Sequence, residues 1–170
     1  MVIGHRGASG YRPEHTAAAY RLAFAQGVDA VEPDIVATRD GVLVVRHENE
    51  ISGTTDVASH PEFAGRRTTK TVDGQQLTGW FTEDFTWAEL QTLRCRERLP
   101  RLRAANTRYD GGEAMLRLSD VLALIDAASL EQRRPISAVI EVKHAQYFLE
   151  RGFDLGALLL AELEVTGWAD

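Results

Sequence analysis

Cysteine, lysine and long apolar runs are all scarce in this chain of 170 residues. Cys95 is the single cysteine, which excludes an internal disulfide and leaves the compartment unmarked by redox chemistry. No apolar run approaches the roughly 18 residues that a membrane span needs, and no basic segment followed by an apolar one indicates a signal peptide. We therefore expect a soluble protein, either cytoplasmic or exported with its leader absent from this sequence.

Positive charge is also in short supply, since 25 acidic residues face 19 basic ones and the formal net charge is −6. This balance argues against a nucleic acid or an anionic membrane as the main partner. Arginines recur between Arg94 and Arg108, but no aromatic side chain is interleaved before Tyr109. We interpret this stretch as a solvated face or as a lid that contacts an anionic substrate.

Strand and helix patterns alternate along the chain. Short apolar runs predict four strands, at residues 2–4, 30–36, 42–45 and 138–142. Helical periodicity predicts helices at about 16–26, 87–93, 118–128 and 155–165. Ser119 is the expected cap of the third helix. This order is typical of an α/β architecture with mostly parallel strands, in which functional residues lie at the carboxyl ends of the strands.

The connections between these elements differ greatly in length. The second and third strands are separated only by the turn Arg39-Asp40-Gly41. This connection is too short for a parallel crossover, so it predicts a hairpin in which Asp34 lies roughly opposite His47. Residues from about 49 to 112 are polar and rich in Thr, Arg and Gly. A plain loop of that length is uncommon, so we expect an inserted subdomain or lid.

Charged residues recur at intervals of two in the strand patterns. Glu32 and Asp34 share one face of a strand, and Glu141 and Lys143 share one face of another. Neighbouring carboxylates repel one another, and oxygen ligands suit the hard cations Ca²⁺ and Mg²⁺. The alternatives are a solvent-facing pair on an edge strand for the first two and a surface ion pair for the others.

His5 and His47 each follow an apolar strand run. A histidine pair can act as base and acid at neutral pH, although a histidine after a strand is often structural. Arg6 can form a forked contact with phosphate or with a carboxylate at the strand end. His15, His60 and His144 lie in loop or helix-start positions, and we interpret them as structural.

Taken in order, the motifs form a recognisable series: His5-Arg6-Gly7, Pro13-Glu14-His15-Thr16, Glu32-Pro33-Asp34, His47-Glu48 and Glu141-Val142-Lys143. The series resembles the glycerophosphodiester phosphodiesterase family, whose members carry H-R-G, P-E-N-T, E-x-D, H-D and E-x-K. The likeness runs through essentially the whole chain. It departs from the family at Glu48, where aspartate is usual, and at His15, where asparagine is usual.

The resemblance implies a TIM-type (β/α)8 barrel and one divalent metal ion, Ca²⁺ or Mg²⁺. It implies His5 and His47 as the acid–base pair and Glu32, Asp34 and Glu141 as the metal ligands. Arg6 and Lys143 would bind the substrate phosphate, and residues from about 49 to 112 would cover the site. The expected reaction converts a small glycerophosphodiester into an alcohol and glycerol 3-phosphate. The alternatives are a lysophospholipase D-like lipid phosphodiesterase and a non-catalytic half barrel that needs a partner half.

Length limits the fold that this chain can complete. A full barrel takes about 250 residues, or at least about 200. We therefore expect residues 1–170 to form a partial barrel domain with about the first four strands plus the insertion. Such a half barrel leaves an open edge. A fragment, a split product or one piece of a larger assembly would have this form, completed by a C-terminal half or by a homo-oligomer.

Overall fold

A computed structural model of the protein describes residues 1–169 and has an α/β fold built from short strands. The strands of this part of the chain, named β1 to β8 in order, are Ile3–His5, Ala30–Glu32, Asp34–Ala37, Leu43–Val45, Thr68–Val72, Gln75–Gly79, Ser137–Ala138 and Glu141–Val142. Its α-helices, α1 to α5, are Ala17–Ala25, Trp87–Leu90, Leu118–Gln132, Ala145–Leu149 and Leu155–Thr166.

The parallel strands form the frame that carries the predicted site residues. β2 pairs in parallel with β1 on one side and with β7 on the other, and β3 pairs in parallel with β8. Only Pro33 separates β2 from β3, because proline has no N–H to donate to the ladder. The register sets His5 beside Glu32 and Asp34 beside Glu141. The predicted α/β architecture with parallel strands is confirmed.

The predicted hairpin after Asp34 is also present, with β4 antiparallel to β3. Of the four predicted strands, three are therefore parallel and one is antiparallel. Ile35 pairs with Val45, and the amide of Arg46 donates to the carbonyl of Asp34 at 3.0 Å. The predicted register was wrong by one residue, since Arg46 and not His47 lies opposite Asp34. The turn is a three-residue loop in which Gly41 has a φ of +77°, so the hairpin is centred on Asp40.

The helices cover one side of these strands with an apolar core. α1 begins where the Thr16 hydroxyl accepts from the amide of Ala19 at 3.2 Å, and it packs against α3. Both helices contribute fully buried side chains, among them Tyr20 and Ile125. Within residues 1–169, no helix combines the length and apolar character required to cross a membrane.

The start of α3 differs from the prediction. Ser119 lies inside the helix, which begins at Leu118 and extends to Gln132, four residues beyond the predicted end. The amide of Arg117 donates to the Asp120 carboxylate at 2.9 Å, and Arg117 also contacts that carboxylate through its guanidinium. Asp120 at the third helical position therefore satisfies the amide of Arg117 just before the helix, which is the part of a capping box that an acidic residue supplies.

Residues from about 49 to 112 contain short 3-10 turns, α2 and the antiparallel hairpin of β5 and β6. Asp73 and Gly74 form the turn of that hairpin with φ values of 46° and 80°. The Asp-Gly pair is a strong hairpin signal, although the sequence prediction did not include this hairpin. α2 begins at the expected residue, where Thr86 and Glu89 form a capping box. The division of the chain into a barrel part and an insertion stays a prediction.

We expect Gly7→Ala to destabilise the fold strongly. Gly7 has a φ of +78°, and an added Cβ would lie 2.7 Å from the carbonyl carbon of Ala19 in α1. The strained backbone and the displaced helix together predict a loss of about 2–4 kcal/mol in the free energy of unfolding, measured by urea denaturation. Gly10→Ala is the matched control, because a Cβ added there would meet nothing within 4 Å. Equal unfolding free energies for the two variants would contradict this account of the loop.

Candidate active site

Three carboxylates meet where β2 ends and where β3 and β8 begin. Glu32, Asp34 and Glu141 each offer one oxygen, and these oxygens all lie within 4.8 Å of one another. Glu32 in β2 and Asp34 in β3 are both buried, whereas the Glu141 side chain is 53% exposed. A solvent-facing pair on an edge strand, the alternative for Glu32 and Asp34, does not describe this arrangement. The two-residue spacing therefore brings the predicted carboxylates together as expected.

The cluster fits a hard divalent cation. Within residues 1–169, Glu32 Oε2 and Asp34 Oδ1 are buried and accept no well-aligned hydrogen bond. Burial, together with the neighbouring Asp34 carboxylate, raises the pKa of Glu32 to about 7. A bound cation would offset the repulsion between the Glu32 and Asp34 carboxylates and would coordinate these two oxygens. Carboxylate oxygens are the ligands that Ca²⁺ and Mg²⁺ prefer.

Asp34 is surrounded by positive or proton-donating groups. Its Oδ2 lies 3.0 Å from both Arg6 Nε and His15 Nε2, and its Oδ1 lies 3.2 Å from Lys143 Nζ. Burial alone would raise the pKa of Asp34, but the hydrogen bond from His15 and the charges of Lys143 and Arg6 hold it well below its usual range. Asp34 is consequently ionised at neutral pH although its side chain is fully buried.

His15 takes part in this site, so its interpretation as a merely structural histidine was incomplete. Burial lowers the pKa of His15 to about 4, so its ring is neutral at pH 7. Its Nδ1 lies 2.9 Å from the Tyr20 hydroxyl, which can donate, leaving Nε2–H to donate to Asp34. Its amide donates to the carbonyl of Arg6 at 3.1 Å, and both residues have left-handed backbone, with φ near 57° and 59°. The two ends of the connection between β1 and α1 are thus joined beside Asp34.

The side chains of the two predicted catalytic histidines are both partly exposed to solvent. His5 ends β1, and its Nε2 lies 3.6 Å from Glu32 Oε2. Partial desolvation and the charge of Arg6 lower the pKa of His5, so its ring is neutral at pH 7. His47 follows β4 and is near enough for its charge to affect the pKa of His5. Its Nδ1 lies 2.6 Å from Glu48 Oε1.

The two predicted phosphate-binding side chains are both mostly buried. Lys143 Nζ lies 2.6 Å from Glu141 Oε1 in addition to its contact with Asp34, and its side chain is only 14% exposed. A solvated surface ion pair, the alternative for Glu141 and Lys143, does not describe this geometry. Arg6 Nη1 lies 3.2 Å from Glu14 Oε2. The carboxylates thus hold both cationic groups beside the cluster.

Two further charged residues of the site were not predicted from the sequence. Glu14 is 2% exposed and contacts Arg6 on one side and Arg98 on the other. Arg98 also forms a forked contact with both oxygens of Glu48. The only signal for Glu14 was its place in the P-E-H-T motif. Arg98 had none, because it is one of several arginines in the same polar stretch.

The geometry agrees with a known family. The model of the glycerophosphoryl diester phosphodiesterase family matches residues 5–155. That range includes both histidines, all three carboxylates, Arg6 and Lys143. The chain therefore belongs to this family, and the resemblance read from the order of the motifs is confirmed.

Curated relatives and a solved structure agree with this assignment. A glycerophosphodiester phosphodiesterase of Arabidopsis thaliana is 37% identical over 84% of this chain, which spans 36% of that protein. A glycerophosphodiester phosphodiesterase of Treponema pallidum is 31% identical over 99% of this chain, and the match covers 47% of that protein. The crystal structure of glycerophosphodiester phosphodiesterase from Agrobacterium tumefaciens superposes on 98% of this chain with a TM-score of 0.65 and a sequence identity of 23%. The match covers 53% of the Agrobacterium tumefaciens chain. The fold is thus α/β of the TIM-barrel type, and the chain spans half or less of these curated relatives.

We expect one Ca²⁺ or Mg²⁺ to bind per chain at Glu32, Asp34 and Glu141. Because the pKa of Glu32 is raised to about 7, a bound cation must displace a proton from it. The affinity should therefore rise from about pH 6 to about pH 8 and level off above, with proton release seen by calorimetry in buffers of different ionisation enthalpy. The double variant Glu32→Gln with Asp34→Asn should lose binding. Glu62→Gln, at an exposed carboxylate, is the control, and equal affinities in the two proteins would contradict the assignment.

Proposed function

We propose that the protein is a divalent-metal-dependent phosphodiesterase that hydrolyses glycerophosphodiesters to an alcohol and glycerol 3-phosphate. The observation that carries this proposal is the meeting of three carboxylates, two histidines and two cationic side chains at the ends of parallel strands. The activity named for the relatives from Arabidopsis thaliana and Treponema pallidum supports the choice of substrate class.

Glu32, Asp34 and Glu141 would hold the metal, since their oxygens converge and two of them are buried without a well-aligned hydrogen-bond donor in the part of the chain that the structure describes. When bound, Ca²⁺ or Mg²⁺ supplies positive charge that offsets the charge developing on a phosphate oxygen. Glu32 would be ionised in that state, although its pKa is raised without the cation. The buried charge of the site would then be balanced.

Arg6 and Lys143 would bind and orient the phosphate. Both side chains lie at the edge of the cluster, with their stems packed and their charged ends against Asp34. Arg6 has one nitrogen, Nη2, beyond the two that contact Asp34 and Glu14, and the N–H groups of Nη2 can be donated to a phosphate. Lys143 acts as a compact charge. Holding the phosphorus between these groups and the histidines would align it for attack.

His5 and His47 would move the protons. One histidine removes a proton from the nucleophile, which is water or a neighbouring hydroxyl of the substrate, and the other gives a proton to the oxygen of the leaving alcohol. The lowered pKa of His5 keeps its ring neutral at pH 7, which suits the role of base. His47 is then the acid, with Nδ1 held by Glu48 and Nε2 free for the substrate.

We further propose that this chain forms the first part of a TIM-type barrel. The parallel series β1, β2 and β7, continued by β3 and β8, supports this assignment. In the part of the chain that the structure describes, β1 and β7 are the two ends of their sheet. The remaining strands would come from a C-terminal part of the protein or from a second copy. Residues from about 49 to 112 would act as the inserted lid, with the β5–β6 hairpin near the site through the contact of Asp73 with His144 at 2.6 Å.

The activity is tested by hydrolysis of glycerophosphocholine with and without Ca²⁺ or Mg²⁺. We expect glycerol 3-phosphate to be released and the reaction to stop when a chelator is added. His5→Ala and His47→Ala should each lower kcat by about 10²- to 10⁴-fold, because each removes one step of proton transfer. His60→Ala is the matched control, since that ring contacts only Asp56 and Glu62 among the acidic groups described.

Calorimetry on the same variants separates chemistry from folding. Both histidine variants should keep the cation affinity of the wild-type protein, because neither histidine is a proposed metal ligand. Wild-type rates in either variant would contradict the acid–base assignment. Turnover of lysophosphatidylcholine in place of glycerophosphocholine would contradict the proposed substrate class.

A further inference from the structure

Charged contacts run without a break from the carboxylate cluster to His47. Arg6 links Asp34 to Glu14, as described above, and Arg98 continues the series. Arg98 Nε lies 2.9 Å from Glu14 Oε1, and its Nη1 lies 2.8 Å from Glu48 Oε1. The other nitrogen, Nη2, contacts Glu48 Oε2. Glu48 in turn accepts from His47 Nδ1 at 2.6 Å.

The backbone around Arg98 is fixed by its neighbours. Glu97 is 3% exposed, and its amide donates to Asp110 Oδ1 at 2.8 Å. The Glu97 carboxylate accepts from Asn106 Nδ2 at 2.9 Å, and Arg103 Nη1 donates to the carbonyl of Ser9 at 2.8 Å. These contacts attach the stretch that contains Arg98 to the loop after β1. Arg98 therefore presents its guanidinium from a held position and not from a free surface segment.

The forked contact removes the freedom that Glu48 would otherwise have. Glutamate has one more rotatable bond than aspartate, so a carboxylate at this position needs a partner to stay in one orientation. Arg98 holds both oxygens, and a guanidinium paired in this way also fixes the plane of the carboxylate. Among the charged groups near Glu48, Arg98 and His47 hold its pKa below the usual range against the effect of burial. Glu48 is consequently an acceptor that stays ionised.

We propose that Arg98 is a positioning residue that fixes the ring orientation and tautomer of His47 through Glu48. An ionised, immobile Glu48 accepts from Nδ1–H, so Nε2 is the ring atom that faces the substrate and carries the proton that His47 gives to the leaving oxygen. Three nitrogens of Arg98 already contact carboxylates, so Arg98 acts through Glu48 and not on the phosphate. This inference rests on the proposed function, in which His47 moves a proton.

The kinetic test uses the variants Arg98→Met, Glu48→Met and the double variant. Partners that orient a functional histidine are typically worth about 10- to 100-fold, so we expect each single variant to lower kcat by that factor with KM changed less than about threefold. Because both act through one contact, the double variant should be no slower than the slower single one. Arg98→Lys keeps the charge without the fork and should recover only part of the loss. Arg101→Met, an exposed arginine of the same stretch, is the control.

A second readout does not depend on turnover. Long-range ¹H–¹⁵N spectra of the histidine rings report the tautomer directly, and the His47 signals are assigned by their loss in His47→Ala. At a pH where the ring is neutral, the wild-type protein should show a proton on Nδ1 and a bare Nε2. Arg98→Met should give a mixture of tautomers, and Arg101→Met should leave the spectrum unchanged.

The two readouts distinguish this proposal from the proposed function. A wild-type protein that hydrolyses no glycerophosphodiester would overturn the function, while the ring spectra would still decide the role of Arg98. A rise in KM at constant kcat for Arg98→Met would mean that Arg98 binds substrate, and would overturn the positioning role. A wild-type kcat or an unchanged His47 tautomer in Arg98→Met would overturn it as well.

Discussion

An ionised carboxylate with no access to water is the constraint around which this protein is organised. Asp34 can stay charged only because Arg6, His15 and Lys143 approach it from different parts of the chain. Desolvating a lone carboxylate is very costly, and removing one partner of a buried charge typically costs about 3–5 kcal/mol. The two ends of the connection between β1 and α1 and the residue that follows β8 are therefore held together by one side chain. Packing alone would not specify how these segments meet.

Glu32 shows the opposite balance only two residues away. Its pKa is raised because burial and the charge of Asp34 are not offset by a cation in contact with it. One carboxylate is thus fully compensated by the protein, and its neighbour is left short of positive charge. That difference gives the site an electrostatic preference for a cation without requiring the strands to move. The exposed Glu141 supplies an oxygen on the solvent side, where an ion can enter.

Periodicity and turn chemistry explain how much of this was predictable. The spacing of two in Glu32 and Asp34 fixed a shared face, and the short Arg39–Gly41 turn fixed a hairpin, because both are local properties. The predicted register of β3 and β4 was wrong by one residue, because the length of the turn, and not the position of its glycine alone, determines which residues pair. The role of Arg98 was not predicted, because its partners Glu14 and Glu48 are 84 and 50 residues away in the sequence. Such contacts depend on how residues from about 49 to 112 fold back onto the strands, which no local pattern encodes.

The hairpin loop has a consequence for how relatives of this chain can diverge. Side chains alternate between two faces along a strand, so adding or deleting one residue in the loop at 39–41 would shift β4 by one position. His47 would then point away from the carboxylates, and Val44, which is fully buried, would be exchanged with its neighbours on the other face. Insertions and deletions of odd length should be selected against here but tolerated at exposed turns such as Asp73-Gly74, because neither β5 nor β6 carries or leads into a proposed site residue.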